Sequence, residues 1–145
     1  MAQLRGGGAM KGAHRVLVAA QWGAWRVLQT MLSDVGDLVP AHTRTDAYKM
    51  LERESFDLIV CTIAFDESQM IEFLQTVKKN TSTRDIPFLC SRALPGVLRD
   101  NLVATMRDAC IQCGAVDLID IARLSPDAAR DAMRKAVVAC VTSRT

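Results

Sequence analysis

The chain has 145 residues, half of them apolar and 23% charged, with a formal charge of +2. That is enough for one domain with a real core and the balance of a soluble globular protein. No Lys/Arg run or basic-aromatic interleaving supports nucleic acid or an anionic membrane as partner. No apolar stretch approaches the roughly 20 residues of a membrane helix.

The five cysteines are an odd number, and three lie in strongly apolar segments. This pattern suits reduced thiols in a cytoplasm better than a disulfide framework. Residues 1–14 are rich in Gly and lack an apolar signal-peptide core, so they read as a disordered leader. Residues 15–145 read as one domain.

Arg15 to Ala20 is a short apolar run, expected as a buried first strand. In Trp22 to Asp34 the residues Trp25, Leu28, Met31 and Leu32 recur at helical spacing, and Gly36 is a stop. Asp37 to His42 is a weak strand whose Pro40 places it at an edge. Thr45 is expected to cap a helix reaching about Glu54, with Ala47, Met50 and Leu51 facing inward. Asp57 to Ile63 is the most apolar run and the candidate central parallel strand.

Asp66 or Ser68 is expected to cap the next helix, which turns Met70, Ile71, Leu74 and Val77 inward. Ile86 to Ser91 is a fourth strand. Pro95 opens an expected long helix through Leu98, Leu102 and Met106 to Gly114. Val116 to Ile121 is a fifth strand. Ser125-Pro126-Asp127 supplies a cap, a first-turn proline and an acid near the dipole. The last helix carries Met133, Ala136, Val137 and Val141.

Five strands alternating with five helices imply an α/β fold, a five-stranded parallel sheet doubly wound by helices in three layers. Such folds place sites at the carboxyl ends of the strands. Those ends are Ala19-Ala20-Gln21, Thr62 to Phe65, Ser91-Arg92 and Ile121-Ala122.

Three phrases carry a resemblance: Phe56-Asp57-Leu58-Ile59-Val60-Cys61-Thr62, Asp85-Ile86-Pro87-Phe88-Leu89 and Cys113-Gly114-Ala115-Val116-Asp117. Together with the element order they resemble the receiver domain of bacterial response regulators, a CheY-like, flavodoxin-like fold, over roughly Arg15 to Val141. The resemblance implies two acids after the first strand that hold Mg²⁺; Ala20 and Gln21 stand there. It implies a phosphoaccepting aspartate ending the third strand, where Thr62 falls. It implies a Ser or Thr ending the fourth strand, where Arg92 aligns with Ser91 one residue earlier. It implies a lysine ending the fifth strand, where Ile121 aligns. Alanine offers Mg²⁺ no ligand and glutamine only a neutral one. A threonine forms no mixed anhydride.

The expected function is therefore that of a degenerate receiver, a pseudo-receiver in two-component signalling. It would not be an enzyme and would hold no metal or cofactor. It would dock a histidine kinase, phosphotransfer protein or output domain, with a homodimer through the fourth helix, fifth strand and last helix as a further expectation. Two alternatives stand beside it. One is a small-anion or nucleotide site built from Arg92, Ser91 and Thr62, although no glycine-rich phosphate loop is present. The other is phosphorylation at Asp66.

Helix capping is the plainer account of Asp66, and pairing with arginine or solvation that of Asp117 and Asp120. Trp22 is a candidate to line the vacated pocket. Cys110-Ile111-Gln112-Cys113, Cys61 and Cys90 read as packing residues. His14 and His42 are too isolated to argue a general base.

Overall fold

The computed structural model describes residues 14–142. The expected leader lies outside the described residues except for its last position, His14, which opens the first strand. The elements are β1 His14–Ala19, α1 Trp22–Leu32, β2 Gly36–Ala41, α2 Arg44–Arg53, β3 Leu58–Thr62, α3 Met70–Lys79, β4 Phe88–Arg92, α4 Val103–Gln112, β5 Asp117–Asp120 and α5 Pro126–Thr142. The strands form one parallel sheet in the order β2-β1-β3-β4-β5. This is the expected doubly wound α/β architecture. Among the described residues, no helix is long and apolar enough to cross a membrane.

Each face of the sheet has its own core. Val16, Val18, Leu58, Val60 and Leu89 pack under α1 and α5. Leu17, Ile59, Cys61, Phe88 and Cys90 pack under α2, α3 and α4. The alternation is the period-2 rule of a strand covered on both sides. All five residues of β3 are buried, as expected of the central run.

Pro40 sits in β2 at the sheet edge, opposite Val18, where its missing N–H interrupts no inner ladder. At the start of β2 a Cβ on Gly36 would lie 2.6 Å from the His14 carbonyl oxygen, so glycine lets the edge strand close on β1.

Several helix ends follow from local chemistry. Ser125 Oγ accepts from the Ala128 amide and caps α5. Gly114, at φ +109°, ends α4. The Ala115 amide reaches the Cys110 carbonyl and the Gly114 amide that of Ile111, the paired bonds of a left-handed C-cap.

Three expectations need correction. Thr43, not Thr45, caps α2, its hydroxyl accepting from the Asp46 amide at 3.1 Å. The long fourth helix is shorter than expected. Residues 93–99 form a loop, a 3₁₀ turn spans Asp100–Leu102, and α4 begins only at Val103. Gly96 takes φ +90°, which a helix cannot contain, and the Leu98 carbonyl bonds to a side chain instead of a helical amide. The apolar spacing that suggested helix is met by loop packing, with Val97 and Leu98 against one core and Leu94 against the other. Finally, Ile121 leaves the sheet and opens a 3₁₀ turn over Ile121–Arg123.

Candidate functional site

The carboxyl ends of β1, β3 and β4 converge at the middle of the sheet, where the strand order changes direction. Gln21 follows β1 and is the N-cap residue of α1, with extended backbone and no side-chain capping bond. Its amide side chain is thus free to turn toward β3. There the Thr62 hydroxyl donates to Gln21 Oε1 at 3.3 Å. Ala20, fully buried, is tied to β2 by its amide, which donates to the Ala41 carbonyl at 3.0 Å.

Ser91 is the register partner of Thr62. It is fully buried, and its Oγ has no hydrogen-bond partner among the described residues. Parallel register partners point to the same face, so Ser91, not Arg92, stands beside Thr62. The sequence resemblance set Arg92 at the end of the fourth strand with Ser91 one residue earlier, and it is Ser91 that lies beside Thr62 in this chain. Gln21, Thr62 and Ser91 together supply hydroxyls and an amide but no carboxylate. Such a donor set is poorly matched to Mg²⁺, which favours charged oxygen ligands. Among the described residues, no group of three or more His, Cys, Asp or Glu is placed to hold a metal ion.

Arg92 turns to the opposite face and is spent on protein partners. Its Nε and Nη2 fork the Asp120 carboxylate at 2.7 and 3.1 Å. Nη1 donates to the Leu98 carbonyl at 2.7 Å, and Nη2 also reaches Asp100 at 2.9 Å. Only 2% of its side chain is exposed. The cation expected at an anion site is therefore already neutralised by two carboxylates. Asp120 and Asp117 each pair with an arginine, the latter with Arg107.

No protein-family model matches the sequence, and no curated protein matches it. Solved structures do match the fold. The receiver domain of a signal transduction histidine kinase from Syntrophus aciditrophicus is 17% identical, covers 90% of this chain and 92% of its own, and superposes with a TM-score of 0.69. A Francisella response regulator receiver domain is 16% identical over 91% and 99% of the two chains, with a TM-score of 0.69. The receiver domain of a Pseudomonas aeruginosa sensor histidine kinase, solved with magnesium coordinated in its active-site cleft, is 14% identical over 90% and 98%, with a TM-score of 0.70. The fold is the receiver fold.

On this receiver fold Ile121, the residue at the expected lysine position, is 4% exposed and packs in the core beneath α1 and α5. It presents no charge to the strand ends. Trp22 is 62% exposed and stacks on His42, with ring centroids 3.7 Å apart. His42 Nδ1 lies 2.7 Å from the Ala20 carbonyl oxygen. A carbonyl only accepts, so Nδ1 donates to it, while Nε2 is buried and has no hydrogen-bond partner among the described residues. Sequence reasoning dismissed His42 as isolated. Its place just past β2, beside the end of β1, was the signal that could have found it.

Asp66 does not cap α3. Phe65–Ser68 is a turn in which Asp66, Glu67 and Ser68 hold φ of 48°, 59° and 65°. The turn carries the Asp66 carboxylate to the start of α2, where it accepts from the Arg44 amide at 2.9 Å and from Arg44 Nε at 3.0 Å. These bonds, led by the backbone amide and opposed by burial, hold the carboxyl below its ordinary range. Gln69, with no side-chain capping bond, precedes α3 in its place.

Proposed function

We propose that this chain is a receiver-like signalling domain of two-component type that acts without phosphorylation, by binding protein. The observation that carries the reading is the Thr62–Gln21 hydrogen bond, a neutral pair where the receiver pocket needs carboxylates. A neutral pair gives a transferring phosphoryl group neither an acyl acceptor nor a metal to spread its charge. The domain is then not an enzyme and needs no cofactor. It works in the cytoplasm as a module in one fixed state.

Its partner is a histidine kinase, a phosphotransfer protein or an output domain, with a second copy of the chain as a further candidate. The β5 side of the molecule suits such docking. β5 is an edge strand, and Ile111, Val116 and Val138 on and around α4, β5 and α5 are apolar and exposed. Exposed apolar groups near a strand edge favour partner contact. The engagement of Arg92 with Asp120 and Asp100 weighs against a phosphate-binding site at that residue.

The test is the intact mass of the protein after incubation with Mg²⁺ and a small acyl-phosphate donor, beside a competent receiver. The expected result is no phosphoryl gain here and a gain in the control. A gain abolished by Asp66→Ala would replace this reading with that of a working switch.

A further inference from the structure

A cleft lies between the last turns of α2 and the loop that joins α3 to β4. It has two adjoining lobes, which share Leu51, Glu52 and Ser82. Phe56 and Ile86 line the first lobe, Tyr48 and Val77 the second. Each of these four side chains is buried or half-buried, so the floor is largely apolar. The lobes hold about 330 and 260 Å³. That is the small end of the roughly 300–1,000 Å³ that hold a drug-sized ligand, and it suits single side chains of a peptide better.

The rim of the first lobe is acidic. Glu52 is exposed in the last turn of α2 and makes no hydrogen bond or ion pair among the described residues. A carboxylate there also meets the negative end of the helix dipole, which favours a cation beside it. Glu54 follows on the same rim and pairs with Arg15. Arg15 is shared with Asp37, and His14 lies near Asp57. Four carboxylates, of Asp37, Glu52, Glu54 and Asp57, thus stand against the guanidiniums of Arg15 and Arg53 and the imidazole of His14. Lys78, across the cleft, is spent on the carbonyls of Arg84 and Ile86.

The chain enters β1 at this rim. The Arg15 guanidinium pairs with Glu54 and sits 5.1 Å over the ring of Phe56, both of which line the first lobe. The thirteen residues ahead of His14 lie outside the described residues. Their sequence contains Arg5 and Lys11 but no Asp or Glu, so these two cations equal the formal excess of +2 of the whole chain. Lys11 stands three residues before His14, about 10 Å of extended chain. Its neighbour Met10 is apolar and flexible, a side chain that adapts to irregular gaps.

We propose that residues 1–13 dock in cis on this cleft, with Lys11 paired to Glu52 and Met10 seated in the lobe lined by Phe56 and Ile86. The tether places the cation beside the unpaired carboxylate at high effective concentration, so a weak surface pair suffices to hold it. The docked segment covers the cleft, and a partner reaches that surface only by displacing it. The contact is electrostatic at an exposed rim, so salt weakens it.

The test compares amide NMR spectra of the full chain as the parent, as Lys11→Glu, as Glu52→Lys and as the double exchange. Lys11→Glu is expected to shift the amides of Leu51, Phe56 and Ser82, which are remote from residue 11 in sequence. The double exchange restores the pair with its signs reversed. It is expected to return the Phe56 and Ser82 amides toward their parent positions, which Glu52→Lys alone does not. Added salt is expected to move the same amides in the parent and to leave them in Lys11→Glu. Shifts confined to the neighbours of residue 11, or a double exchange that returns nothing, overturn the proposal. Shifts that grow with protein concentration assign the contact to a second copy and overturn docking in cis. Both substituted positions lie at or beyond the surface, and unchanged amides along β3 in the same spectra verify that each variant is folded.

Discussion

Arg92 ends β4 and Asp120 ends β5, and they lie opposite each other in register with the guanidinium forked on the carboxylate. The same guanidinium holds the Leu98 carbonyl and Asp100. One buried side chain thereby pins the loop between β4 and α4 to the strand ends. A loop fastened in this way favours a single conformation, which the proposed phosphorylation-independent role requires.

Removing the cation leaves the Asp120 carboxylate, 18% exposed, without its partner. Arg92→Ala is therefore expected to cost about 3–5 kcal/mol, the range for breaking one side of a buried pair. Arg92→Met with Asp120→Leu removes both charges and is expected to recover most of that loss. Urea unfolding of Arg92→Met, of Asp120→Leu and of the double variant closes the cycle. If the losses simply add, the two residues are not coupled.

Asp66 supplies a dependence on acid. Its carboxyl is depressed in the folded chain by the Arg44 amide first and by the Arg44 side chain after it. A depressed acid stabilises the fold above the ordinary carboxylate value of about 3.9, and the gain is lost as pH falls through the folded value. Asp66→Asn is expected to be less stable than the parent by about 1 kcal/mol at neutral pH, the typical worth of a cap. The two proteins should converge when unfolding is followed down through the acid range. A gap that persists in acid would mean that the charge of Asp66 contributes nothing.

The turn that delivers Asp66 is strained, with three successive non-glycine residues at positive φ. Glu67, at φ 59°, is exposed, and its side chain makes no hydrogen bond or ion pair among the described residues. A left-handed residue costs about 1–2 kcal/mol that glycine avoids, while glycine gives back about 0.5–1 kcal/mol in chain entropy. Glu67→Gly is expected to raise stability by about 0.5–1 kcal/mol, read as a higher thermal midpoint. A lower midpoint would show that the turn is relaxed as it stands.

The parts of the fold legible in the sequence were those fixed by local chemistry. The apolar run at Leu58–Thr62 announced a central strand, Ser125 its helix cap and Gly114 its helix stop. What was not legible depended on distant partners. Asp66 read as a cap because Gln69 follows it at the right spacing, yet its amide partner lies 22 residues away at Arg44. Residues 95–102 read as helix from apolar spacing, while their conformation is set by Arg92 and Gly96. Ser91 and Arg92 could not be told apart without the register of β3, and a slip of one residue exchanges the faces of a strand. His42 acquires its setting from Trp22 and the Ala20 carbonyl, neither near it in sequence.

The convergence of Ala20, Gln21 and Thr62 can be tested by charging it. Ala20→Asp, Gln21→Asp and Thr62→Asp together place three carboxylates at the ends of β1 and β3. Ala20 is fully buried and Thr62 is 2% exposed, so two of these charges lose solvent and meet like neighbours. The triple variant is expected to be less stable than the parent in a chelator. Mg²⁺ binding only the folded state is expected to restore about 2.7 kcal/mol when present at 100 times its dissociation constant. The parent, whose corresponding groups are a methyl, an amide and a hydroxyl, is expected to show no midpoint shift with Mg²⁺. Thermal midpoints of both proteins with and without the ion decide the matter. A triple variant unmoved by Mg²⁺ would mean that the three positions do not share one site, and the pseudo-receiver reading would lose the geometry on which it stands.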